Sequence, residues 1–478
     1  MMVRATLCIV LLAVIMAPTR STGREATVIT GATVIDCAGK APIRNGVVVI
    51  EDGRIKAVGR QGKVSWPRGA RVIDASGKVV LPGLIDMHVH YREWQGELFL
   101  AGGVTSVKDL GNPVEWISEL SRMQAEGRLR GPRIFFVGNN LDAPPPEGDH
   151  HVGVASARES ERAARLLREM GAVAIKARHK ITPPQLRDIV AAAHALGLPV
   201  TGHLAQTNAT EAALSGIDGL EHASGVAQAA AEANSQMNTD AKGIRVFLED
   251  LRGFALMNRD REAALIKLLV EKKVKLIPTL AIRRRAVLED YTAMVREDDN
   301  YARLPELVYA PGPVRQEWGA ATLDKRLREA FGEEEKRLMR EGYRRLEIFV
   351  REFHRAGGVV LAGSDNLNGV PGVTLRRELE SLVAAGLAPM AALIGATRDA
   401  ARFLRRDDLG SIEPGKTADL VIVAADPLDD IRNLRLIERV FQGGRELEKG
   451  FHRDYTLAPA RPTLARPLYL ERLLATEK

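Results

Sequence analysis

From residue 83 to residue 404 the chain repeats a short apolar run followed by a helical stretch eight times, and this rhythm restricts the fold more than any other feature. The runs cover residues 84–90, 103–110, 133–138, 173–177, 199–204, 219–223, 275–280 and 359–366. Short apolar runs bounded by turn residues read as buried strands, and their alternation with amphipathic segments such as 159–170 and 185–196 reads as consecutive βα units. Gly171 and Gly197 stand where a helix C-terminus favours a left-handed residue. Eight such units predict an α/β fold of the TIM-barrel, (β/α)8 type. With 478 residues, a satellite domain fits beside the barrel.

The flanks have a different pattern. Residues 26–80 are short β runs separated by Gly-containing turns, and Asp52-Gly53 between two alternating runs signals a hairpin. After residue 404, LGSIEPGKTADLVIVAADP and LRLIERVFQGGREL return to β runs. The expectation is a small β-sandwich domain built from both ends of the chain, 24–82 and 406–450, around a barrel domain at 83–405. A proline-containing tail at 451–478 wraps the surface. At the start, Arg4 precedes an apolar run over residues 7–17 that ends in Ala17, Pro18, Ser21, Thr22 and Gly23. That run is shorter than the ~20 residues of a membrane helix and suits a secretory signal peptide at 1–23. Export is therefore expected, with no membrane span in the mature chain. Of the two cysteines, Cys8 would leave with the signal and Cys37 would remain, which excludes an internal disulfide.

Composition enters as an exclusion. The net charge is +7 and the pI near 9.4, but Lys and Arg are interspersed with Asp and Glu. No zinc-finger, helix-turn-helix or basic-aromatic run accompanies them, so no nucleic-acid partner is expected. The segment 283–347 is longer than a barrel connection needs and carries Tyr291, Tyr301, Pro311, Pro313 and Trp318; it reads equally as a solvated helical pair or as a lid over the barrel mouth.

The chemistry lies at the strand ends. In LPGLIDMHVH, alternate side chains of a strand share a face, so His88 and His90 project together. In a barrel of this type, functional groups sit at the carboxyl ends of the strands, where Lys176 (VAIKA), His203 (GHL), His222 (EHA) and Asp365 (GSD) also fall. Taken singly, each His reads as a hydrogen-bonded core or surface group, the Lys as solvated and the Asp as a turn residue. Barrel closure would bring all of them to one mouth, which points to divalent metal ions. Imidazole and carboxylate suit Zn²⁺, and the lack of usable thiols argues for an open catalytic site. His150 and His151, in a Pro- and Gly-rich loop, are candidate substrate contacts. So are Arg178, His179 and Lys180, where a cation can hold a substrate carboxylate. Tyr91 reads either as support for a developing oxyanion or as packing. His194 and His354 read as structural and His452 as a surface group.

LPGLIDMHVH closely resembles the first barrel strand of the amidohydrolase superfamily of metal-dependent hydrolases. The similarity extends over residues 26–446 and includes DLGSIEPGKTADLVIVAADP at 408–427. The spacing of the fifth- and sixth-strand motifs, the GGVTSVKDLG stretch and the PTL at 278–280 resemble the prolidase-like, imidazolonepropionase-like subgroup, which cleaves dipeptides and N-acyl amino acids. The resemblance implies two divalent ions, with His88, His90 and Asp365 holding one and His203 and His222 the other. It also implies an N6-carboxylated lysine bridging them, matched here by Lys176. Asp365 would then be general base and general acid in hydrolysis of a peptide-like amide by metal-activated hydroxide. A cyclic-amide or lactone hydrolase is the alternative on the same site. A mononuclear deaminase fits less well, because it has no need of Lys176 and no Glu follows His203 in GHLAQ. A non-catalytic binding protein would not need every ligand. Homo-oligomerisation is left open.

Overall fold

The computed structural model describes residues 26–146, 148–232, 245–287, 292–318, 329–366, 369–448 and 450–462. The apolar run at 7–17, Tyr291 and the last sixteen residues lie outside them.

The first strands are β1 (Thr27–Val34), β2 (Ile43–Glu51), β3 (Arg54–Arg60), β4 (Arg71–Asp74) and β5 (Val79–Pro82). Asp52 (φ 49°) and Gly53 (φ 77°) both adopt left-handed conformations, which a two-residue turn needs to match the strand twist, and β2 and β3 pair from Glu51↔Arg54 outward.

The next strands run β6 (Leu84–Val89), β7 (Val104–Asp109), β8 (Arg133–Phe136), β9 (Asn140–Asp142), β10 (His151–Gly153), β11 (Ile175–Ala177), β12 (Val200–Gly202), β13 (Gly219–Glu221) and β14 (Lys275–Ile277). All their pairings are parallel, in two sheets ordered β6-β7-β8 and β10-β9-β11-β12-β13-β14. Helices such as Ala157–Glu169 and Pro183–Ala195 lie between them, giving a mixed α/β fold. Two of these strands, β9 and β10, fall in a Pro-rich stretch without the apolar pattern of a buried strand.

The eighth expected strand, 359–366, is a correction. It forms an isolated parallel bridge, Val360 to Leu276, rather than a regular strand. Its backbone is nonetheless shared between two neighbours: Leu361 N–H donates to Leu276 O (2.9 Å), Met87 N–H to Ala362 O (2.9 Å), and Asp365 N–H to His88 O (2.8 Å). The reason for the irregularity is local. A Cβ on Gly363 would stand 2.6 Å from the His88 Cβ and 2.7 Å from Ile277 Cγ2, so only glycine fits between β6 and β14, and Asp365 itself takes a left-handed φ of 44°. Between β8 and β11, Val173 N–H donates to Phe136 O at 2.9 Å.

The chain then returns with β15 (Leu420–Val423), β16 (Ile437–Gln442) and β17 (Arg445–Glu446). β15 pairs antiparallel with β5, from Leu420↔Pro82 to Val423↔Val79, so both ends of the chain share one eight-stranded sheet, ordered β17-β16-β15-β5-β1-β2-β3 with β4 beside β1. Ile29, Val48 and Val80 from the first part pack with Leu420, Ile422 and Phe441 from the second.

Within 283–347, the described parts are largely helical, including Thr292–Arg303, Gly312–Trp318 and the start of Glu333–Arg355. Trp318 and Leu307 pack with Trp94, Leu98, Val370 and Val373, which places this segment against the residues that follow both His90 and Asp365. Among the described residues no helix is long and apolar enough to cross a membrane.

Candidate active site

His88 lies on β6, His90 follows it, Lys176 is on β11, and His203, His222 and Asp365 follow β12, β13 and the 359–364 segment. One ligand atom each from His88, His222 and Asp365 falls within 4.8 Å of the other two. Nε2 of His88 and Nε2 of His90 face the same Asp365 oxygen, Oδ1, at 3.9 and 3.8 Å, beyond hydrogen-bond length. The imidazole of His222 stands 4.5 Å from that of His88 and 4.3 Å from that of His203, centroid to centroid. His222 thus stands between the two sets expected from the resemblance, beside His203 and beside His88. Three polar atoms of this cluster are buried without any hydrogen-bond partner: His88 Nε2, Lys176 Nζ and Asp365 Oδ1. Buried polar groups are almost always satisfied, and an imidazole nitrogen and a carboxylate oxygen left without partners side by side are of the type that can ligate a cation.

Burial dominates the electrostatics. It pushes His88, His90, His203 and His222 well below the usual imidazole value, with the Lys176 charge the next influence on the first two. The imidazoles are therefore neutral, the form that binds metal. Burial lifts Asp365 to about 6 against the opposing Lys176 charge and lowers Lys176 to about 7, with Arg178 acting in the same direction.

Strain gathers at the same rim. His222 (φ 60°), Ala223 (φ 53°), Thr279 (φ 48°) and Asp365 (φ 44°) are all left-handed without being glycine; for the β-branched Thr279 this is a true outlier. Such residues cost about 1–3 kcal/mol each and persist where surrounding structure imposes them. Here Thr279 Oγ1 sits 2.8 Å from His222 Nδ1 and fixes that ring.

Sequence reasoning missed the layer beneath. Glu221, fully buried, lies 2.7 Å from His88 Nδ1, accepts from Lys108 Nζ at 3.1 Å and from Thr201 Oγ1 at 2.6 Å. A carboxylate behind a ligating histidine sets its tautomer. The available signal was Lys108 and Glu221 themselves, charges of opposite sign in two short runs expected to be buried strands, since buried charges must be paired. Asp86 also went unnoticed; its Oδ1 accepts the backbone N–H groups of Ser364 (2.9 Å) and His88 (3.2 Å) and so ties β6 to the GSD turn.

The amidohydrolase family pattern matches residues 79–447. The chain belongs to the amidohydrolase family. Among solved structures, this amidohydrolase resembles a Xaa-Pro dipeptidase with bound methionine in the active site (TM-score 0.62, 21% identity, covering 89% of this chain and 100% of the other). It also resembles the ochratoxinase of A. niger (TM-score 0.62, 18% identity, covering 89% and 96%). At these identities the likeness concerns the fold. Among curated relatives, it is 32% identical over 197 residues to a dihydroorotase of Anaeromyxobacter dehalogenans (37% of this chain, 41% of the relative). It is 45% identical over 67 residues to a 5-methylthioadenosine/S-adenosylhomocysteine deaminase of Symbiobacterium thermophilum (14% and 15%). These matches span only a minority of each relative's length.

The remaining candidates separate. Arg178 reaches the cluster, its guanidinium donating to His203 Nδ1 at 3.3 Å, and the His179 ring is 4.2 Å from that of His203. His150 and His151 lie 4.6 Å apart, ring to ring, at the start of β10. Lys180 turns to the loop instead, with Nζ on Pro145 O. Tyr91 has the surroundings of the packing reading: its ring is buried and stacked on Phe99 at 5.9 Å. His452 stays partly exposed, with Nδ1 2.6 Å from the buried Glu97 and its backbone N–H donating to the same carboxylate. His194 is held by Asp218 at 2.8 Å.

Proposed function

We propose that this amidohydrolase is a binuclear, zinc-dependent enzyme that hydrolyses the amide bond of small peptide-like substrates, dipeptides or N-acyl amino acids. The observation that carries the reading is the approach of His88, His222 and Asp365 to within 4.8 Å of one another, with His88 Nε2 and Asp365 Oδ1 unsatisfied and the buried Lys176 Nζ also without a hydrogen-bond partner. The donors fit divalent ions: His88, His90, His203, His222 and Asp365 would hold them, and an N6-carboxylated Lys176 would bridge them. When bound, such ions supply Lewis acidity toward the carbonyl and acidify a water. The buried, partnerless Nζ of Lys176 can add to carbon dioxide, forming a nitrogen–carbon bond and releasing a proton, which replaces a repelling ammonium by an oxygen donor. Asp365 takes the proton of the attacking water and delivers it to the departing amine. Glu221 keeps Nδ1 of His88 protonated so that Nε2 faces the cluster. Arg178 holds the substrate carboxylate.

The eight strand segments are read as a closed barrel at 83–405, because the 359–365 backbone bonds to both β14 and β6. The eight-stranded sheet shared by Thr27–Pro82 and Leu420–Glu446 is read as the framework of the β-sandwich domain expected at 24–82 and 406–450. The apolar run at 7–17 supports export.

The test is a hydrolysis screen across dipeptides and N-acyl amino acids with zinc-loaded enzyme and a chelated control. Release of two products only by the loaded enzyme supports the assignment, and metal uptake without turnover on any member counts against it. The dihydroorotase relatives favour a second reading, a cyclic-amide or lactone hydrolase. Opening of a ring to a single product would select it.

A further inference from the structure

The tail expected to wrap the surface does more than cover it. Trp116 Nε1 donates to Pro459 O at 2.8 Å and Tyr455 Oη to Arg130 O at 2.9 Å, and these anchors bring Arg461 to the loop that carries His150. Arg461 holds Asp149 with both terminal nitrogens, at 2.6 and 2.7 Å, and its Nε donates to Asn112 Oδ1 at 2.7 Å. Asp149 Oδ1 in turn lies 2.9 Å from His150 Nδ1. Asn112 connects the same network to the segment after His90, accepting from Arg92 (3.1 Å) and donating to Tyr91 O (3.2 Å).

The far side of the His150 ring is also specified. A Cβ on Gly111 would stand 2.8 Å from His150 Cδ2 and Nε2 and 2.9 Å from Asn140 Nδ2, so the ring edge and this amide converge over a bare backbone position. Asn140 is fully buried, and neither its Oδ1 nor its Nδ2 has a hydrogen-bond partner. A neutral imidazole that donates through Nδ1 has only its Nε2 lone pair left to accept. An acceptor beside an orphaned amide suits a ligand bearing N–H and C=O groups.

We propose that Arg461 is a positioning residue for this active site: through Asp149 it fixes the tautomer and orientation of His150, whose Nε2, with the Asn140 amide, receives an N–H and a carbonyl of the substrate. The role rests on the proposed amide hydrolysis, but the geometry of the strap does not. A bidentate arginine–carboxylate pair is directional, and the Asp149–His150 hydrogen bond passes that direction to the ring. The substrate thereby meets a group oriented from the end of the chain, more than three hundred residues from the loop it steadies.

The experiment is a double-mutant cycle with R461A and H150A, using full-length zinc-loaded enzyme and its best amide substrate. Variants are first matched by thermal melting. R461A is expected to raise KM about tenfold with kcat changed less than about threefold, and to add nothing in the H150A background. R461K, which keeps the charge but loses the fork, is expected to recover part of the loss. Carbethoxylation of His150 by diethylpyrocarbonate, followed by peptide mass spectrometry, is expected to be faster in R461A than in the parent protein. Additive losses in the cycle, or an unchanged carbethoxylation rate, overturn the proposal. Because the labelling needs no turnover, it is read even if amide hydrolysis itself is not found.

Discussion

Glu221 stands 2.7 Å from His88 Nδ1, with both side chains completely shielded from solvent. The same carboxylate neutralises Lys108 at 3.1 Å, so it supports a ligand and satisfies a buried cation at once. In E221Q the first role weakens and the second fails. Zinc affinity is expected to fall about 10–100-fold, measured by competition with a chromophoric chelator. Stability is expected to drop by about 3–5 kcal/mol, because Lys108 is left as an uncompensated buried charge. Converting Lys108 to Met in the same protein should return most of that stability in denaturant titration but not the zinc affinity.

Asp365 has no hydrogen-bond partner through Oδ1, and that oxygen faces both His88 and His90. D365N preserves shape and removes the proton acceptor. A loss of about 10²–10⁴-fold in kcat is expected for removal of a general base, with circular dichroism unchanged. A kcat within threefold of the parent value would assign proton transfer to another group.

Lys176 provides a test of carboxylation through metal removal. After chelation and dialysis, zinc together with bicarbonate should restore activity faster than zinc in carbon-dioxide-free buffer. K176M should show neither recovery nor bicarbonate dependence. Equal reactivation rates for the parent enzyme in the two buffers would rule the modification out.

Glu378 supplies a pH effect on stability. Burial pushes it from 4.5 up to about 8, against the backbone N–H groups of Ala281 and Leu280. Its folded pKa is raised, so the fold favours the protonated form; the contribution is complete below about pH 4.5 and is lost as pH climbs through about 8. Melting curves between pH 5 and about 9 should therefore fall more steeply for the parent protein than for E378Q, which cannot ionise. Parallel curves would show that Glu378 is already ionised in the fold.

Cys37 is buried, and burial pushes its thiol up to about 12 despite a hydrogen bond with Thr397. The thiolate is the reactive form. Protein lacking residues 1–23 should show no thiol reaction with Ellman's reagent at pH 8 when native and one equivalent after denaturation in guanidinium. Rapid reaction of native protein would contradict the burial.

Sequence patterning exposed the groups that sit at element ends. His88 and His90 follow from strand periodicity, and His203, His222, Lys176 and Asp365 follow from their places after short apolar runs; the structure brings His88, His222 and Asp365 within 4.8 Å. What escaped was what packing creates. Glu221 and Lys108 look like ordinary strand charges until Thr201 and His88 close around them. β9 and β10 are three residues each, and only Leu141 and Val152 carry apolar side chains into the core, too few for an alternating pattern to show.

The amino-acid order alone determined the alternation of strand and helix, the Asp52-Gly53 hairpin and the chemical types offered at each strand end, because these depend on local backbone preferences and on periodicity. Tertiary structure decided which of those groups face one another, which carboxylate stands behind His88, and that Arg461 reaches Asp149. Those relations join residues far apart in the chain, so they are set by how the sheets and the tail pack and by the need to satisfy buried charge, and neither is written in any short stretch of sequence.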